Sequence, residues 1–201
     1  MAEQTPGGRR EEIVAVALEM VAERGYRGTS LDAIAREVGL TRQGVLHYFP
    51  GKKHLLAEIL RRREDLNREH LLAGHAHEDW PAQMARVVDH DHRRPGLARA
   101  YSVLMAESVT SGHPAQEYFR DHYAAARERM VAAFTDRWGE RLPSGLTPRA
   151  AAVALLALLD GMQQQWLLDR DQADHPQIIR EVLTVVLGTG PHPEDPEPGP
   201  G

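Results

Sequence analysis

The stretch TSLDAIAREVGLTRQGVLHYFPGKK, residues 29–53, decides the fold. Thr29 and Ser30 are helix-capping residue types, and Thr29 with Asp32 has the capping spacing ahead of the apolar positions Leu31, Ile34, Ala35 and Val38. Gly39 ends this short helix. Thr41 then caps another, whose apolar side is Val45, Tyr48 and Phe49 before Pro50 and Gly51 interrupt. Ala35 is small where the two helices cross, and Gly39, four residues later, allows a tight left-handed turn. These features spell a helix-turn-helix. Its second helix is left with Arg42, Gln43, Gly44 and His47 pointing outward; Arg pairs with guanine and Gln with adenine in a major groove, and a glycine permits close backbone approach.

Charge agrees with that reading. The chain has a net charge of −5, yet residues 27–63 hold eight basic side chains against three acidic ones. The positive end suits a polyanion. Lys52 and Lys53, the chain's two lysines, fall at the predicted N-terminus of a fourth helix, where free amides and the helix dipole favour an anion. Arg61, Arg62 and Arg63 form a further basic run, readable either as a solvated helix face beside Glu58, Glu64 and Asp65 or as DNA contacts.

Working outward, Ile13, Ala17, Met20 and Val21 give a first amphipathic helix over about residues 9–24, stopped by Gly25. Leu55, Leu56, Ile59, Leu60 and Leu66 carry the fourth. Later helices are bounded by Pro81, by Pro95-Gly96, by the Gly112-His113-Pro114 turn ahead of a helix toward Trp138, by Pro148 opening a helix to about Asp169, and by Pro176 opening one to about Gly188. The expectation is an all-α chain of about nine helices. With 26 Ala and 22 Leu against 14 Val and 5 Ile, composition leans the same way. The expected organisation is a helix-turn-helix domain at 1–51, a larger helical domain at 52–189, and a disordered Pro/Gly-rich tail at 190–201.

Several classes are excluded or weakened. Cysteine is absent, which removes disulfides, thiolate metal sites and cysteine nucleophiles. The longest apolar run, Ala150 to Leu159, has ten residues, about half of the ~20 a bilayer demands. No secretory or transit pattern is visible at Met1 to Gly8, so the expected location is the cytoplasm. Gly-x-Ser-x-Gly, phosphate-loop and His-Glu-x-x-His motifs are all missing, and no catalytic residue or cofactor is expected. Two rivals stay open: an all-α enzyme, and a DNA-binding protein with no effector.

Residues 11 to 60 resemble the N-terminal domain of tetracycline-repressor-type (TetR) transcriptional regulators. The resemblance is carried by Gly25-Tyr26, Thr29-Ser30, Ile34-Ala35, Val38-Gly39-Leu40-Thr41, His47-Tyr48-Phe49-Pro50, Lys52 and Leu55-Leu56. It implies that Arg42, Gln43, Gly44 and His47 meet bases, with Thr29, Thr41, Tyr48 and Lys52 on phosphates. Leu46 departs from the family, whose third helix usually carries an aromatic there. Beyond residue 60 the likeness is one of length, helical content and the pair Asp160-Gly161.

One helix-turn-helix reads a half-site, so specific binding normally takes two copies about 34 Å apart on a palindromic operator. Val153, Leu156, Leu159, Leu167, Ile179, Val182, Leu183 and Val186, on the last two helices, exceed one small core face and are the candidate dimer interface, as the resemblance also implies. Met84, Val88, Tyr101, Met105, Tyr118, Phe119, His122, Tyr123, Met162 and Trp166 combine aromatic bodies, polar tips and thioethers. Such residues build pockets and ordinary cores alike. The family's ligand-gated behaviour makes them the candidate site for a small apolar or amphipathic effector. His75, His77, Glu78 and Asp79, then Asp89, His90, Asp91 and His92, are of metal-ligating types, but spacing by two does not share a helical face, and no metal site is expected. The sequence therefore reads as a homodimeric repressor, its partners a DNA operator, a small molecule and its own copy.

Overall fold

A computed structural model describes residues 6–72, 80–170 and 175–189, with side chains described at 8–66, 83–170 and 175–189. Among these residues there are nine helices and no strand: α1 (Pro6–Gly28), α2 (Leu31–Glu37), α3 (Arg42–Tyr48), α4 (Lys52–Leu72), α5 (Trp80–His92), α6 (Pro95–Ser108), α7 (Gln116–Trp138), α8 (Pro148–Leu168) and α9 (His175–Leu187). The all-α expectation and the positions of the breakers hold. Residues 73–79, including His75, His77, Glu78 and Asp79, and the tail at 190–201 lie outside the described residues.

α1 begins three residues earlier than the apolar spacing predicts, and its helical path breaks at Gly25, which takes φ 71° and ψ 174°. That break lets the chain fold back on itself: the Thr29 amide donates to the Tyr26 carbonyl, and the Thr29 hydroxyl donates to Gly25 O at 2.9 Å. The cap of α2 is consequently Ser30, whose Oγ accepts from the Ala33 amide at 3.1 Å. This corrects the sequence reading that used Thr29 with Asp32. The turn from α2 to α3 runs through Gly39 at φ 65°, with the Leu40 amide donating to Ala35 O at 2.8 Å. Thr41 caps α3 as expected, accepting from the Gly44 amide.

Packing explains why so short a pair of helices holds its shape. Ile34, Ala35, Val38, Val45 and Phe49 are buried in one cluster with Ile13, Ala17 and Val21 of α1 and Leu55, Leu56, Ile59 and Leu60 of α4. Each fully buried side chain of this size contributes about 1.5–3 kcal/mol. The cluster continues without a gap into Ala100, Tyr101, Leu104 and Phe119 of α6 and α7, so the helix-turn-helix is fastened to the body through apolar contact. A second cluster joins Met84, Phe134, Leu155 and Met162 to Ile179, Leu183 and Leu187 of α9. No helix of the described residues is long and apolar enough to cross a membrane.

Candidate nucleic-acid interface and internal cavity

The outward side of α3 is solvated. Thr41, Arg42, Gln43 and His47 are exposed, whereas Gly44, Leu46 and Tyr48 are half-buried. Arg42 has Asp32 as its nearest carboxylate at 3.9 Å, with both side chains about 60 % exposed, a geometry that holds the guanidinium only weakly. A Cβ at Gly44 would touch Leu40 and Thr41 Oγ1 at 3.4 and 3.5 Å, so glycine there leaves the helix flank low and open. Val45 and Phe49 supply the opposite, buried side. Thr29 leaves the set of side chains open to a phosphate: it is 2 % exposed and its hydroxyl is committed to Gly25.

Lys53 is exposed at the start of α4, while Lys52 is half-buried with its Nζ 4.0 Å over the Tyr26 ring. Burial pulls the Lys52 ammonium below its usual range, and Glu107 partly restores it. Glu107, on α6, also accepts from the Tyr26 amide at 2.8 Å. A Cβ at Gly25 would collide with that carboxylate. The α1–α2 turn, the first lysine of α4 and the end of α6 therefore meet at one junction.

Below the head, α4, α5, α6, α7 and α8 line a cavity of about 750 Å³. Of the predicted pocket residues, Met84, Val88, Tyr101, His122 and Tyr123 line it. The other five do not. Phe119 belongs to the core beneath the head, with Met105 and Tyr118 packed against that core, and Met162 and Trp166 are buried. Trp166 stacks on His92, which does line the cavity, with ring centroids 4.0 Å apart. Residue type alone could not separate lining from backing.

The guanidinium and the carboxylates of the lining are the part that the sequence reading assigned elsewhere or missed. Arg63 turns inward: its Nη2 donates to Asp91 Oδ2 at 2.8 Å and to Gln163 Oε1 at 3.0 Å, and its guanidinium lies 3.6 Å from the Tyr101 ring centroid. Glu64 Oε1 accepts from Tyr118 Oη at 2.8 Å and faces His122 Nδ1 at 3.0 Å. Asp160 Oδ2 accepts from Tyr123 Oη at 2.5 Å. Burial pushes the Tyr101 phenol up to about 12, and burial together with bonds to carboxylates drives Tyr118 and Tyr123 upward as well. All three stay neutral donors near pH 7. The Asp89–His92 cluster disperses: Asp89 pairs with Arg93, Asp91 with Arg63, His90 lies against Arg94 and His92 against Trp166.

The proposed dimer residues also divide. Ile179 and Leu183 are fully buried in the chain's own core, because α9 docks on α5 and α8 through that face, and Leu156 and Leu159 line the cavity. Val153 remains exposed, and Leu167, Val182 and Val186 are half-buried. The exposed apolar residues of these helices that spacing missed are Ile178, Val185 and Leu168.

A solvated helix carrying Arg, Gln and His, presented by a helix-turn-helix on a helical body, defines a DNA-binding transcriptional regulator. Residues 13–59 match the family of bacterial regulatory proteins described as tetR. The chain is 28 % identical to an uncharacterized HTH-type transcriptional regulator of Mycobacterium tuberculosis over 92 % of its length and 97 % of the relative's. It is 39 % identical to the HTH-type transcriptional repressor KstR2 of Rhodococcus jostii over 30 % of each chain. Among solved structures, NalD of Pseudomonas aeruginosa, the secondary repressor of the MexAB-OprM multidrug efflux pump, superposes with a TM-score of 0.69 at 30 % identity, over 90 % of this chain and 96 % of NalD. The chain belongs to the TetR family.

Proposed function

We propose that this regulator is a homodimeric repressor that reads a palindromic operator and is released when a small apolar or amphipathic molecule fills the cavity. The observation that carries this reading is the path of α4. Its first residue, Lys52, packs against the head at Tyr26, and its later residues Arg63 and Glu64 form cavity wall. A ligand that moves this wall therefore acts on the helix that bears the head, and a coupling of ~1–3 kcal/mol changes operator affinity 5- to 150-fold. In this reading the chain divides into a head at 1–51 and a sensing and dimerising body at 52–189, and acts in the cytoplasm. Arg42, Gln43, Gly44 and His47 approach bases, with Thr41, Tyr48, Lys52 and Lys53 on phosphates.

Dimerisation is supported by the faces of α8 and α9 left without cover: Val153 is 49 % exposed, Ile178 38 % and Val185 76 %. Two copies pairing these helices form a four-helix interface related by the two-fold axis that a palindrome demands. The repressor assignment draws on the similarity to two repressors, NalD and KstR2.

Selection from random duplexes at physiological salt is the test. Recovery of an inverted repeat, a dimer in sedimentation, and loss of both with Val185→Asp are expected. A monomer that selects a single half-site refutes the symmetric reading. Duplex affinity that no small molecule alters returns the assignment to a ligand-independent DNA-binding protein, and turnover of a small molecule returns it to an enzyme.

A further inference from the structure

The charges in the cavity wall do not cancel, and the remainder identifies a ligand class. Arg63 is matched by Asp91, with which it shares a 2.8 Å ion pair. Glu64 is held by the Tyr118 hydroxyl and by His122. Arg129, the other guanidinium in the lining, is exposed to solvent. Asp160 differs from the other two carboxylates. Its one hydrogen bond among the described residues comes from the Tyr123 hydroxyl, a neutral donor, and no described cation stands within ion-pair distance of it. Arg63 and His122 act on it only through space. Burial lifts the Asp160 carboxyl above the usual carboxylate range, a cost that a cation brought against it would reverse.

The rest of the lining sets the body of such a ligand. Met84 and Val88 from α5, Met130 from α7, and Leu156 and Leu159 from α8 offer apolar wall. Tyr101 lines the same space but is itself buried, with the Arg63 guanidinium over its ring, so the apolar wall and not a free aromatic face receives the ligand body. A volume of about 750 Å³ admits a drug-sized molecule.

We propose that the cavity takes a hydrophobic monocation, an alkyl- or arylalkylammonium whose charged nitrogen lies against Asp160 and whose apolar body lies along α5, α7 and α8. This rests on the reading of the cavity as the effector site. An anion of the same shape is disfavoured, since it would face three carboxylates with the one buried guanidinium already paired.

Three probes with one body and different heads test this directly: 4-phenylbutylamine, 4-phenylbutanol and 4-phenylbutyrate, titrated calorimetrically into the full chain near pH 7. The amine should bind about tenfold or more tighter than the alcohol, as a charge-assisted contact predicts, and the carboxylate weakest. Asp160→Asn should bring the amine-to-alcohol ratio close to one while leaving alcohol binding in place. Tyr123→Phe removes the neutral donor and should keep or raise the amine preference, which guards against a fold defect in the first variant. A wild-type protein that prefers the carboxylate or does not distinguish amine from alcohol overturns the proposal, and so does an unchanged ratio in Asp160→Asn. If the alcohol binds without amine preference, the cavity reading survives and only the cation is wrong. If none of the three binds, both readings fall together.

Discussion

Arg42 and Arg63 are the same residue type in two regions of one molecule, and they are held in opposite ways. Arg42, on the head, is 61 % exposed and has one carboxylate at 3.9 Å. Arg63, in the cavity wall, is 12 % exposed, bonded to Asp91 and Gln163, and stacked on Tyr101. A guanidinium that stays hydrated gives little to the fold and keeps its donors for a partner. One that is desolvated and paired is committed to the fold, and removing it strands the opposite charge. Removing Arg42 is thus expected to change DNA binding with little change in stability, and removing Arg63 to cost stability first.

The largest effect should follow from cutting the buried pair. Arg63→Ala leaves the Asp91 carboxylate, 8 % exposed, without its counter-ion, and should cost about 3–5 kcal/mol in urea unfolding. Adding Asp91→Asn should recover part of that loss because the orphaned charge is gone. A cost below about 1 kcal/mol would place Arg63 with the exposed pairs and erase the contrast with Arg42.

On the head, Arg42→Ala should lose about 1–3 kcal/mol of affinity for the selected site and relax base preference at one position, with unchanged melting temperature. Lys52→Ala should weaken all duplexes alike and lower the slope of log affinity against log salt by about one. Equal loss of selectivity from both changes would contradict the division between base and phosphate contact.

Two hydroxyl caps sharpen the comparison at smaller scale. Ser30 and Thr41 each accept one amide at the start of a seven-residue helix, at 3.1 Å in both cases. Replacing either by Ala should cost about 0.5–2 kcal/mol of stability. If Thr41 also touches a phosphate, Thr41→Ala lowers duplex affinity well beyond Ser30→Ala at matched stability. Matching losses of affinity would confine Thr41 to its cap.

The head was legible because the signals that mark it lie within a few residues of one another. Gly39 between two caps, Ala35 at the crossing and the alternation of Val45 and Phe49 with Arg42 and His47 are local patterns, and the structure keeps each of them. Thr29 escaped because the break at Gly25 is a tertiary event: the turn is held by Glu107, 81 residues from Tyr26. The cavity was half legible. Residue type picks out part of its apolar and aromatic lining, yet in the sequence Arg63 belongs to a basic run, Asp91 to a cluster of metal-ligating types and Asp160 to a pair shared with the family, and only the packing that brings α4, α5 and α8 together gives them one site. On α8 and α9 the apolar excess was visible, but periodicity alone could not tell Ile179, turned to the core, from Ile178 beside it, which is 38 % exposed.

The smallest expected effect concerns His113, at the junction of head and body, and it has a defined sign. Its Nδ1 accepts the Ala115 amide at 3.2 Å, so the ring proton sits on Nε2, 3.6 Å from Glu107 Oε2. A second proton could enter only at Nδ1 and would break that bond. Burial, first, holds the imidazole below its usual range, with Glu107 acting against the shift and Arg27 and Lys52 adding to it. Because the folded-state value is depressed, the contribution to stability is complete above about pH 6.5 and declines as pH falls, since the unfolded chain takes up the proton first. His92 is depressed for the same leading reason and adds to the decline from within the cavity. His113→Asn keeps an acceptor for Ala115 and cannot titrate, so the drop in melting temperature between pH 7.5 and 5.5 should be shallower than in the parent. An unchanged slope would remove His113 from the decline; a steeper one would mean that protonated His113 supports the junction, through Glu107, and would reverse the expected sign.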